Sequence, residues 1–365
     1  MKTLFLTIHS IITILAILVL FHFQSLQANA ICVGGECSFL SSEEYALAFA
    51  AEPLLDSIYG NSFLNSMAES AVLQNVNSTL MGGTLITKNR VSLGYSLARS
   101  NLRNRFPLID QTELRALPRF GAAVSPNLVL ATNLGNFLDK SGEWRKWNLH
   151  LQFFSYYPSE INLLFLNLRN VNVKGRVANF NANLRYFPFA NVNQSNSDSN
   201  TEKSSDLKSG LSFGFGMFRT EQTVYLNTYD RRPSQISSNG QRRRWIGIND
   251  LKYESELYSS TADVRYAYSW NGFTLFGGMG IMNSQGNLRL QAQRIALVSS
   301  RFNVNDFESN PTGIQLDLRL KNFYNQTSAL GILGIQYKYD DFGLGLELMR
   351  SQNSESVNFG IQYYF

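Results

Sequence analysis

The spacing of apolar residues changes near residue 84. Between residues 41 and 80 apolar side chains recur three or four positions apart, which is the spacing of helices. From residue 84 to the carboxyl terminus they recur at every second position, in short packets separated by turn residues. The chain is therefore predicted to consist of a small helical segment at residues 31–83 and an antiparallel β-structure at residues 84–365.

The last eleven residues show the period of two most clearly. Polar or small residues alternate there with Val357, Phe359, Ile361, Tyr363 and Phe365. A tilted strand of this length crosses the apolar core of a bilayer. An ordinary sandwich strand looks the same in isolation, but a series of such packets runs through the chain. The terminal strand resembles the assembly signal of Gram-negative outer-membrane β-barrels, in which Tyr363 and Phe365 would contact the barrel-assembly machinery.

The number of alternating packets predicts the size of the barrel. A closed bacterial barrel has an even number of strands, and fourteen packets are present. We therefore predict an all-β transmembrane fold, an antiparallel up-and-down outer-membrane β-barrel of about fourteen strands. Two packets are long enough to be hairpins, so the range is twelve to sixteen. The packets are 90–98, 117–133, 146–156, 161–170, 174–187, 208–218, 221–229, 253–269, 272–281, 286–298, 312–321, 327–338, 342–350 and 355–365.

Turn residues predict which loops share a side of the membrane. Asn271-Gly272 and Asp340-Asp341 are tight-turn pairs, whereas 189–207 and 230–250 are long polar connections. With Phe365 on the periplasmic side, fourteen strands place both tight turns in the periplasm and both long loops outside. The second long loop either binds phosphates or sulfated sugars or is a solvated rim that neutralises lipopolysaccharide. Its five arginines are Arg231, Arg232, Arg242, Arg243 and Arg244.

Alternation also assigns each side chain to one of two faces. The set Ile314, Leu316, Leu318 and Leu320 is expected to face lipid, so that its sequence neighbours point into the lumen. Charges of both signs are tolerated in a lumen, whereas an Arg or Lys on the lipid face costs about 2–4 kcal/mol at mid-bilayer. The ionisable residues predicted to face the lumen are His150, Arg185, Asp263, Arg265, Asp317, Arg319, Lys338 and Glu347.

Residues 1–30 have the layout of a secretory signal peptide. A positively charged start precedes an apolar run from Ile11 to Phe21, and Ala28-Asn29-Ala30 is a small-x-small cleavage pattern. The mature chain would then function where disulfides form. Cys32 and Cys37 are predicted to form a small disulfide loop, with two free thiols as the alternative. One C-x4-C pair without a nearby His would give zinc only two ligands.

The segment 31–83 contains two helical packets. Ser41 and Glu44 form a capping-box pattern before the first packet, and the second runs from Phe63 to Val72. Two short amphipathic helices cannot bury a core alone, so the segment is expected to plug the lumen or to lie at the periplasmic rim. A helical amino terminus followed by about fourteen strands resembles the layout of the long-chain fatty-acid transporter family. That resemblance implies a plug and hydrophobic substrates. The family's Asn-Pro-Ala signature is absent, so no binding residues are carried over.

Candidate chemistry is sparse. His150 is the only histidine outside the predicted signal, and outer-membrane phospholipases and deacylases require a Ser two positions after such a His. Gln152 occupies that position here, so enzymatic activity is not predicted, and neither is a metal or another cofactor. The 32 Lys and Arg residues, against 27 Asp and Glu, are dispersed along strands, which is unlike a nucleic-acid interface.

The sequence thus predicts a protein of the cell outer membrane that contacts lipid and lipopolysaccharide. The main functional hypothesis is a channel or transporter for small solutes, with hydrophobic solutes as the resemblance implies. The alternative is a surface-exposed structural or adhesin-like barrel whose lumen is closed and whose external loops bind ligands.

Overall fold

The structure is a computed structural model, and it describes residues 27–33, 61–101, 120–138, 143–157, 171–190, 210–229, 234–238, 241–299 and 312–365. These ranges contain twelve strands and one long helix. No helix within them is long and apolar enough to cross a membrane. The elements are β1 Gln27–Val33, α1 Asn61–Ser78, β2 Arg90–Asn101, β3 Phe120–Asn133, β4 Trp147–Tyr156, β5 Val171–Tyr186, β6 Gly210–Tyr229, β7 Ser234–Ser238, β8 Gln241–Trp270, β9 Phe273–Ser299, β10 Thr312–Tyr339, β11 Phe342–Arg350 and β12 Ser354–Tyr364.

Ten of the twelve strands close into an antiparallel barrel. Every strand pairs with its neighbour around the ring, and the last strand, β12, pairs with the first, β2, from Ser354 opposite Ser100 to Tyr364 opposite Arg90. The other two strands lie outside the ring. β1 pairs with β10 at residues 313–319, and β7 pairs with the first residues of β8.

The prediction of about fourteen strands was wrong, because three pairs of packets are each one long strand. The two packets at 208–229 form β6, those at 272–298 form β9, and those at 312–338 form β10. A further packet, 161–170, lies outside the described residues. The error arises where the apolar face changes side. In β6, Phe215 and Met217 are exposed on the outer face, whereas Phe218 is buried on the inner face. Such a phase change looks like the start of a new strand.

On β6, β8, β9 and β10 the apolar side chains change from the outer to the inner face of the barrel at the same height. Met217, Ser260, Asn283 and Thr327 form one row of cross-strand neighbours on β6, β8, β9 and β10. On one side of this row the outward side chains are apolar and exposed, as in the nine residues Phe273–Ile281 of β9. Nine residues are about the length of a tilted transmembrane strand. This apolar band therefore marks the part of the barrel that faces lipid.

Both tight turns and the carboxyl terminus lie at one rim of the barrel. The Gly272 carbonyl accepts a hydrogen bond from the Lys338 amide at 2.8 Å, and the Asp341 carbonyl accepts one from the Tyr364 amide at 2.8 Å. Asn271 and Asp340 have positive φ angles of 44° and 53°, as tight hairpins require. Short turns are periplasmic in outer-membrane barrels, so we call this the periplasmic rim.

Aromatic side chains form a girdle at the periplasmic rim. Such girdles are typical of the membrane–water interface. Contacting pairs with ring centroids 4.5 to 6.3 Å apart are Trp147 and Tyr186, Trp270 and Phe273, Phe273 and Tyr337, Phe342 and Tyr363, and Tyr363 and Phe365.

Four strands continue far beyond the apolar band at the opposite, external end. β6, β8, β9 and β10 have 20, 30, 27 and 28 residues, against 9 to 12 in β2, β4, β11 and β12. We call their external halves, together with β1, β7 and the start of β5, the projecting sheet. Its inner face is apolar, with Leu257, Leu288 and Leu320 buried. No lipid covers the outside at this height, so the apolar face turns inward.

The chain enters one long connection on the side opposite to the one predicted. The segment 189–207 was expected outside, but the chain enters it at the periplasmic rim, where the Phe187 amide donates to the Lys146 carbonyl at 2.9 Å. The side differs because β6 is one strand where two were predicted. The chain therefore reverses one time fewer, and this strand begins at the periplasmic rim. The segment 230–250 does lie at the external end, as a β7–β8 hairpin in which Arg242–Arg244 pair with residues 235–237. Arg231 and Arg232 lie outside the described residues.

Several amino-terminal predictions also lie wholly or partly outside the described residues. The signal peptide at 1–30 and the first helical packet stay predictions. The backbone of β1 spans the predicted cleavage site, with Ala30 opposite Leu316 of β10. Cys37 is not described, and only the backbone of Cys32 is, so the disulfide stays a prediction as well.

Candidate functional site: the plugged lumen

The helix α1 lies inside the barrel. From Leu64 to Ser78 almost every side chain is buried, and the chain continues through the lumen to Asn89 at the periplasmic rim. Of the two positions left open for residues 31–83, the described part, 61–83, therefore occupies the lumen. The expected amphipathic stripe is absent. Apolar and polar side chains are buried around the whole helix, because the barrel wall surrounds it on all sides.

One side of α1 contributes to an apolar core with the long strands. Phe63, Leu64 and Met67 belong to the same buried cluster as side chains of β8, β9 and β10, including Leu257 and Leu290. Burial of a large aliphatic or aromatic side chain contributes about 1.5–3 kcal/mol. This cluster is therefore the main source of apolar stabilisation for the helix.

The other side of α1 is held by hydrogen bonds to the short strands. The Ser66 hydroxyl donates to the Ser100 carbonyl at 2.9 Å and accepts from the Gly121 amide at 2.8 Å. The Glu69 carboxylate accepts from the hydroxyls of Ser100 and Ser354 at 2.9 and 3.1 Å. These bonds fix the depth of the helix, because their partners lie at the external ends of β2, β3 and β12.

Inward amides of the wall bind the second half of α1. The Asn358 side chain donates to the Asn77 carbonyl at 2.7 Å, and Asn77 in turn donates to the Ser356 hydroxyl at 3.0 Å. Farther round the wall, the Asn75 side chain donates to the Thr220 hydroxyl at 2.7 Å. These inward polar groups of the wall therefore contact the plug.

The chain leaves the helix through two residues with positive φ, Leu80 at 42° and Gly82 at 69°. The positive φ of Gly82 favours glycine there, and a Cβ atom would also displace the terminal amide of Gln336, from which it would lie 2.4 Å away. The turn brings the backbone of residues 80–82 against the most highly charged part of the lumen.

Four buried charged side chains grip this turn, and we call them the latch: Arg185, Asp263, Arg265 and Glu347. Arg265 forms ion pairs with Asp263 at 2.9 Å and with Glu347 at 2.7 Å, and Arg185 pairs with Asp263 at 2.6 Å. Arg265 also donates to the Gly82 carbonyl at 3.3 Å, and the Gly82 amide donates to Glu347 at 3.3 Å. The latch thus binds both backbone polar groups of one plug residue, the amide and the carbonyl of Gly82.

A second contact to the plug involves Arg90 and His150. The Arg90 guanidinium donates to the Leu80 carbonyl at 3.1 Å and lies 3.4 Å from Nδ1 of His150. Gln152 accepts from the plug residue Ser78 at 2.7 Å. His150 is therefore next to a cation and not next to a nucleophile. Groups of three or more His, Cys, Asp or Glu side chains suited to a metal are absent from the described residues.

The predicted lumen residues fall into two groups. Inside the barrel lie His150, Arg185, Asp263, Arg265 and Glu347, all buried, with Lys338 inside the periplasmic rim, 4.7 Å from the ring centroid of Tyr364.

Asp317 and Arg319 instead point outward, contrary to expectation. Leu320 is only 4% exposed and belongs to the apolar core, whereas Arg319 is exposed. The expectation that Leu320 faces lipid was wrong, because it applied the rule for the apolar band to a part of β10 that lies above it. The side chains of Ile314, Leu316 and Leu318 are outside the described part of the structure, so their predicted orientation stays a prediction.

Sequence reasoning missed three residues that hold the plug: Glu69, Gly82 and Arg90. Arg90 could have been predicted, because it lies on the same face of β2 as the polar residues Ser92 and Ser96, whereas the opposite face is apolar. Glu69 and Gly82 could not have been predicted, because the alternation of the strands does not indicate what a helix inside the barrel will contact.

The chain is similar to three solved structures among others. One is the attachment invasion locus protein Ail of Yersinia pestis in complex with the heparin analogue sucrose octasulfate, at 12% identity over 76% of this chain and 98% of that chain, with a TM-score of 0.24. Another is the translocator domain of the autotransporter NalP from Neisseria meningitidis, at 10% identity over 84% and 100%, with a TM-score of 0.31. The third is the P. putida toluene transporter TodX, at 9% identity over 76% and 90%, with a TM-score of 0.26. No curated protein matches the chain.

The geometry and the family comparison complete the assignment. A closed ring satisfies its backbone hydrogen bonds internally, and its apolar band and aromatic girdle fit a bilayer, as in outer-membrane barrels. The protein is accordingly an outer-membrane β-barrel. The family model described as Lsa36-like matches residues 25–365, which is nearly the whole sequence. The chain therefore belongs to the Lsa36-like family.

Proposed function

We propose that this protein is a closed-lumen barrel that displays its projecting sheet at the cell surface, and not an open channel. The observation that carries the proposal is the burial of residues 64–86 inside the ring, where the helix and the turn after it contact the wall on every side. Of the two functions that the sequence suggested, this one was the alternative.

The energetics of the plug support a permanently closed lumen. Withdrawing α1 would expose the apolar cluster around Leu64 and would break its hydrogen bonds to β2, β3 and β12. It would also remove the backbone amide and carbonyl of Gly82 from Glu347 and Arg265, which would stay buried with fewer partners. Each of these changes is unfavourable, and no described contact replaces them.

The projecting sheet supports the display part of the proposal. Four strands of 20 to 30 residues are longer than crossing a bilayer requires, and their external halves keep regular pairing up to the β7–β8 hairpin. Strands this long are not needed to seal a pore. A rigid surface held above the membrane is a suitable platform for binding.

A second candidate function, a narrow path for water or very small solutes, is favoured by one observation. The buried hydroxyls of Ser259, Thr261 and Ser284 have no hydrogen-bond partner among the residues that the structure describes. Ser259 and Ser284 are cross-strand neighbours facing the plug. Buried polar groups without protein partners are usually satisfied by water.

Conductance in a planar bilayer tests the proposal directly. Full-length protein should give no stepwise conductance, whereas a variant lacking residues 41–80 should assemble and conduct, because the deletion removes all of α1. A control deletion of residues 234–238 at the external tip should leave the bilayer silent. Heat-modifiable migration on gels verifies that each barrel is assembled. Stepwise conductance of the full-length protein equal to that of the deletion variant would refute the closed-lumen proposal, and water flux without ion conductance would favour the second candidate.

A further inference from the structure

A depression of about 620 Å³ lies on the outer surface of the projecting sheet. Nine outward-pointing side chains from five adjacent strands line it, together with Leu226, Leu251 and Ala292 between them. The nine are Lys174, Tyr225, Asn227, Asp250, Lys252, Gln291, Gln293, Asp317 and Arg319. None of them takes part in holding the plug.

The strand register arranges these side chains in two rows. The first row runs across β5 to β10 through cross-strand neighbours, in the order Lys174, Tyr225, Lys252, Gln291 and Arg319. The second row lies two residues farther out, in the order Asn227, Asp250, Gln293 and Asp317. With strands about 4.8 Å apart, the first row is about 19 Å long, which matches a short chain of sugar units better than a single small ion.

The two rows differ in chemistry. The first carries three cations around a half-exposed tyrosine, and the Lys252 ammonium lies 5.5 Å from the centroid of the Tyr225 ring. Its hydrogen bond to Glu254, at 2.7 Å, raises the pKa of Lys252 and keeps the ammonium charged. The second row offers amides and carboxylates, and Asn227 donates a hydrogen bond to Asp250.

This combination fits a saccharide that bears anionic groups. Amide and carboxylate side chains hydrogen-bond to pairs of hydroxyls, and a tyrosine packs against the apolar face of a sugar ring. Lysine and arginine bind phosphate oxygens through charge-assisted hydrogen bonds. A ligand lying across the sheet would place phosphates on the first row and hydroxyls on the second.

The height of the depression indicates which saccharide is near. Tyr225 is eight residues beyond Met217, which marks the end of the apolar band, so it lies about 26 Å farther along the strand. The depression opens sideways from the barrel wall. It therefore faces the space beside the barrel and above the outer leaflet, into which the sugars of neighbouring lipopolysaccharide extend.

We propose that this depression binds the phosphorylated saccharide of lipopolysaccharide. The proposal depends on the orientation of the barrel in the membrane but not on whether the lumen is closed. The recognised chemistry is the phosphorylated saccharide itself, whether it belongs to a neighbouring lipopolysaccharide molecule or to a soluble oligosaccharide.

Titration calorimetry of detergent-solubilised, full-length protein provides the test. The first probe is the phosphorylated core oligosaccharide released from lipopolysaccharide by removal of lipid A acyl chains. The second is intact lipopolysaccharide in mixed vesicles, and the third is inorganic phosphate. Replacing both Lys252→Gln and Arg319→Gln should weaken oligosaccharide binding at least tenfold. The matched control is Arg99→Gln, since Arg99 is an exposed cation on β2 that pairs with Glu355, far from the depression.

Each outcome decides the proposal. Tenfold loss in the double variant with unchanged binding in Arg99→Gln supports it, and stronger retention of intact lipopolysaccharide would identify the neighbouring lipid as the source. No binding of the oligosaccharide, equal binding of inorganic phosphate, or equal loss in the control overturns it. Heat-modifiable migration verifies that the variants are folded. Conductance measured on the same preparations separates this result from the closed-lumen proposal.

Discussion

The barrel has two unequal halves that hold the plug in different ways. The short half, β2, β3, β11 and β12, ends near the bilayer and binds α1 through hydroxyl, amide and carboxylate groups such as Ser100 and Asn358. The long half, β6, β8, β9 and β10, continues far outside and binds α1 through an apolar cluster. The latch joins the halves, because Glu347 belongs to β11 and Arg265 to β8. The long half therefore contributes most of the energy of burying the helix, and the short half sets the position of the helix.

The largest expected effect is loss of assembly on replacing the terminal residue of the short half. Phe365→Ser should greatly reduce heat-modifiable barrel in the outer membrane. Phe365 extends the seam between β12 and β2 by exchanging backbone hydrogen bonds with Asn89 at 2.9 and 3.1 Å, and its ring stacks on Tyr363. The control Phe342→Ser removes an exposed ring of the same girdle away from the terminus. Normal assembly of Phe365→Ser, or an equal defect in the control, would contradict a terminal assembly signal.

The second effect concerns the latch between the halves. Glu347→Ala should lower the free energy of unfolding by about 3–5 kcal/mol, because Arg265 would stay buried without this partner. Denaturant unfolding in lipid vesicles measures the change. Glu355→Ala is the matched control, since Glu355 pairs with Arg99 at an exposed site where ion pairs contribute about 0–1 kcal/mol. Similar losses in the two variants would mean that the buried latch does not connect the halves.

The third effect tests the apolar side of the helix. Leu64→Ala should cost about 2–5 kcal/mol, because the side chain is 1% exposed and its removal leaves a cavity against the long half. Leu93→Ala, on the lipid face of β2, is the control and should cost much less, because lipid chains fill the space of the lost side chain. The same unfolding assay applies. Equal costs would argue against a packed core between helix and wall.

The smallest effect tests the polar side. Ser66→Ala should cost about 1–2 kcal/mol, because it removes the bond to Ser100 and leaves the Gly121 amide without its acceptor. Ser66→Thr keeps the hydroxyl and serves as a control for the loss of the bonds. If Ser66→Ala were more costly than Leu64→Ala, the short half rather than the long half would supply most of the stability.

The alternation of the sequence predicted the fold class and the faces of strands inside the apolar band. It placed His150, Arg185 and Glu347 on the inner face, because lipid on one side and a polar lumen on the other impose opposite preferences. The same rule failed above the band. There the outside is polar and the plug supplies an apolar surface inside, so Leu320 turns inward and Arg319 outward.

The interior of the barrel was harder to predict than its wall. A helical segment was expected, but its contacts depend on which inward residues meet it, and these lie hundreds of positions away in sequence, as Asn77 and Asn358 do. The latch residues were recognised as inward charges. Their role in binding the backbone of Gly82 could not be predicted, because no periodicity in the sequence indicates how deep in the lumen the chain turns.

The path of the chain through its own ring has a consequence for biogenesis. β1 pairs with the external part of β10, α1 follows inside, and the chain emerges at the periplasmic rim before entering β2. The barrel is thus a closed hoop around a thread that belongs to the same molecule. If such a hoop closed first, the amino-terminal segment would have to pass through the whole length of the ring to reach the external side. The amino-terminal segment must already cross to the external side while the seam between β2 and β12 is open, and closure of that seam then traps it.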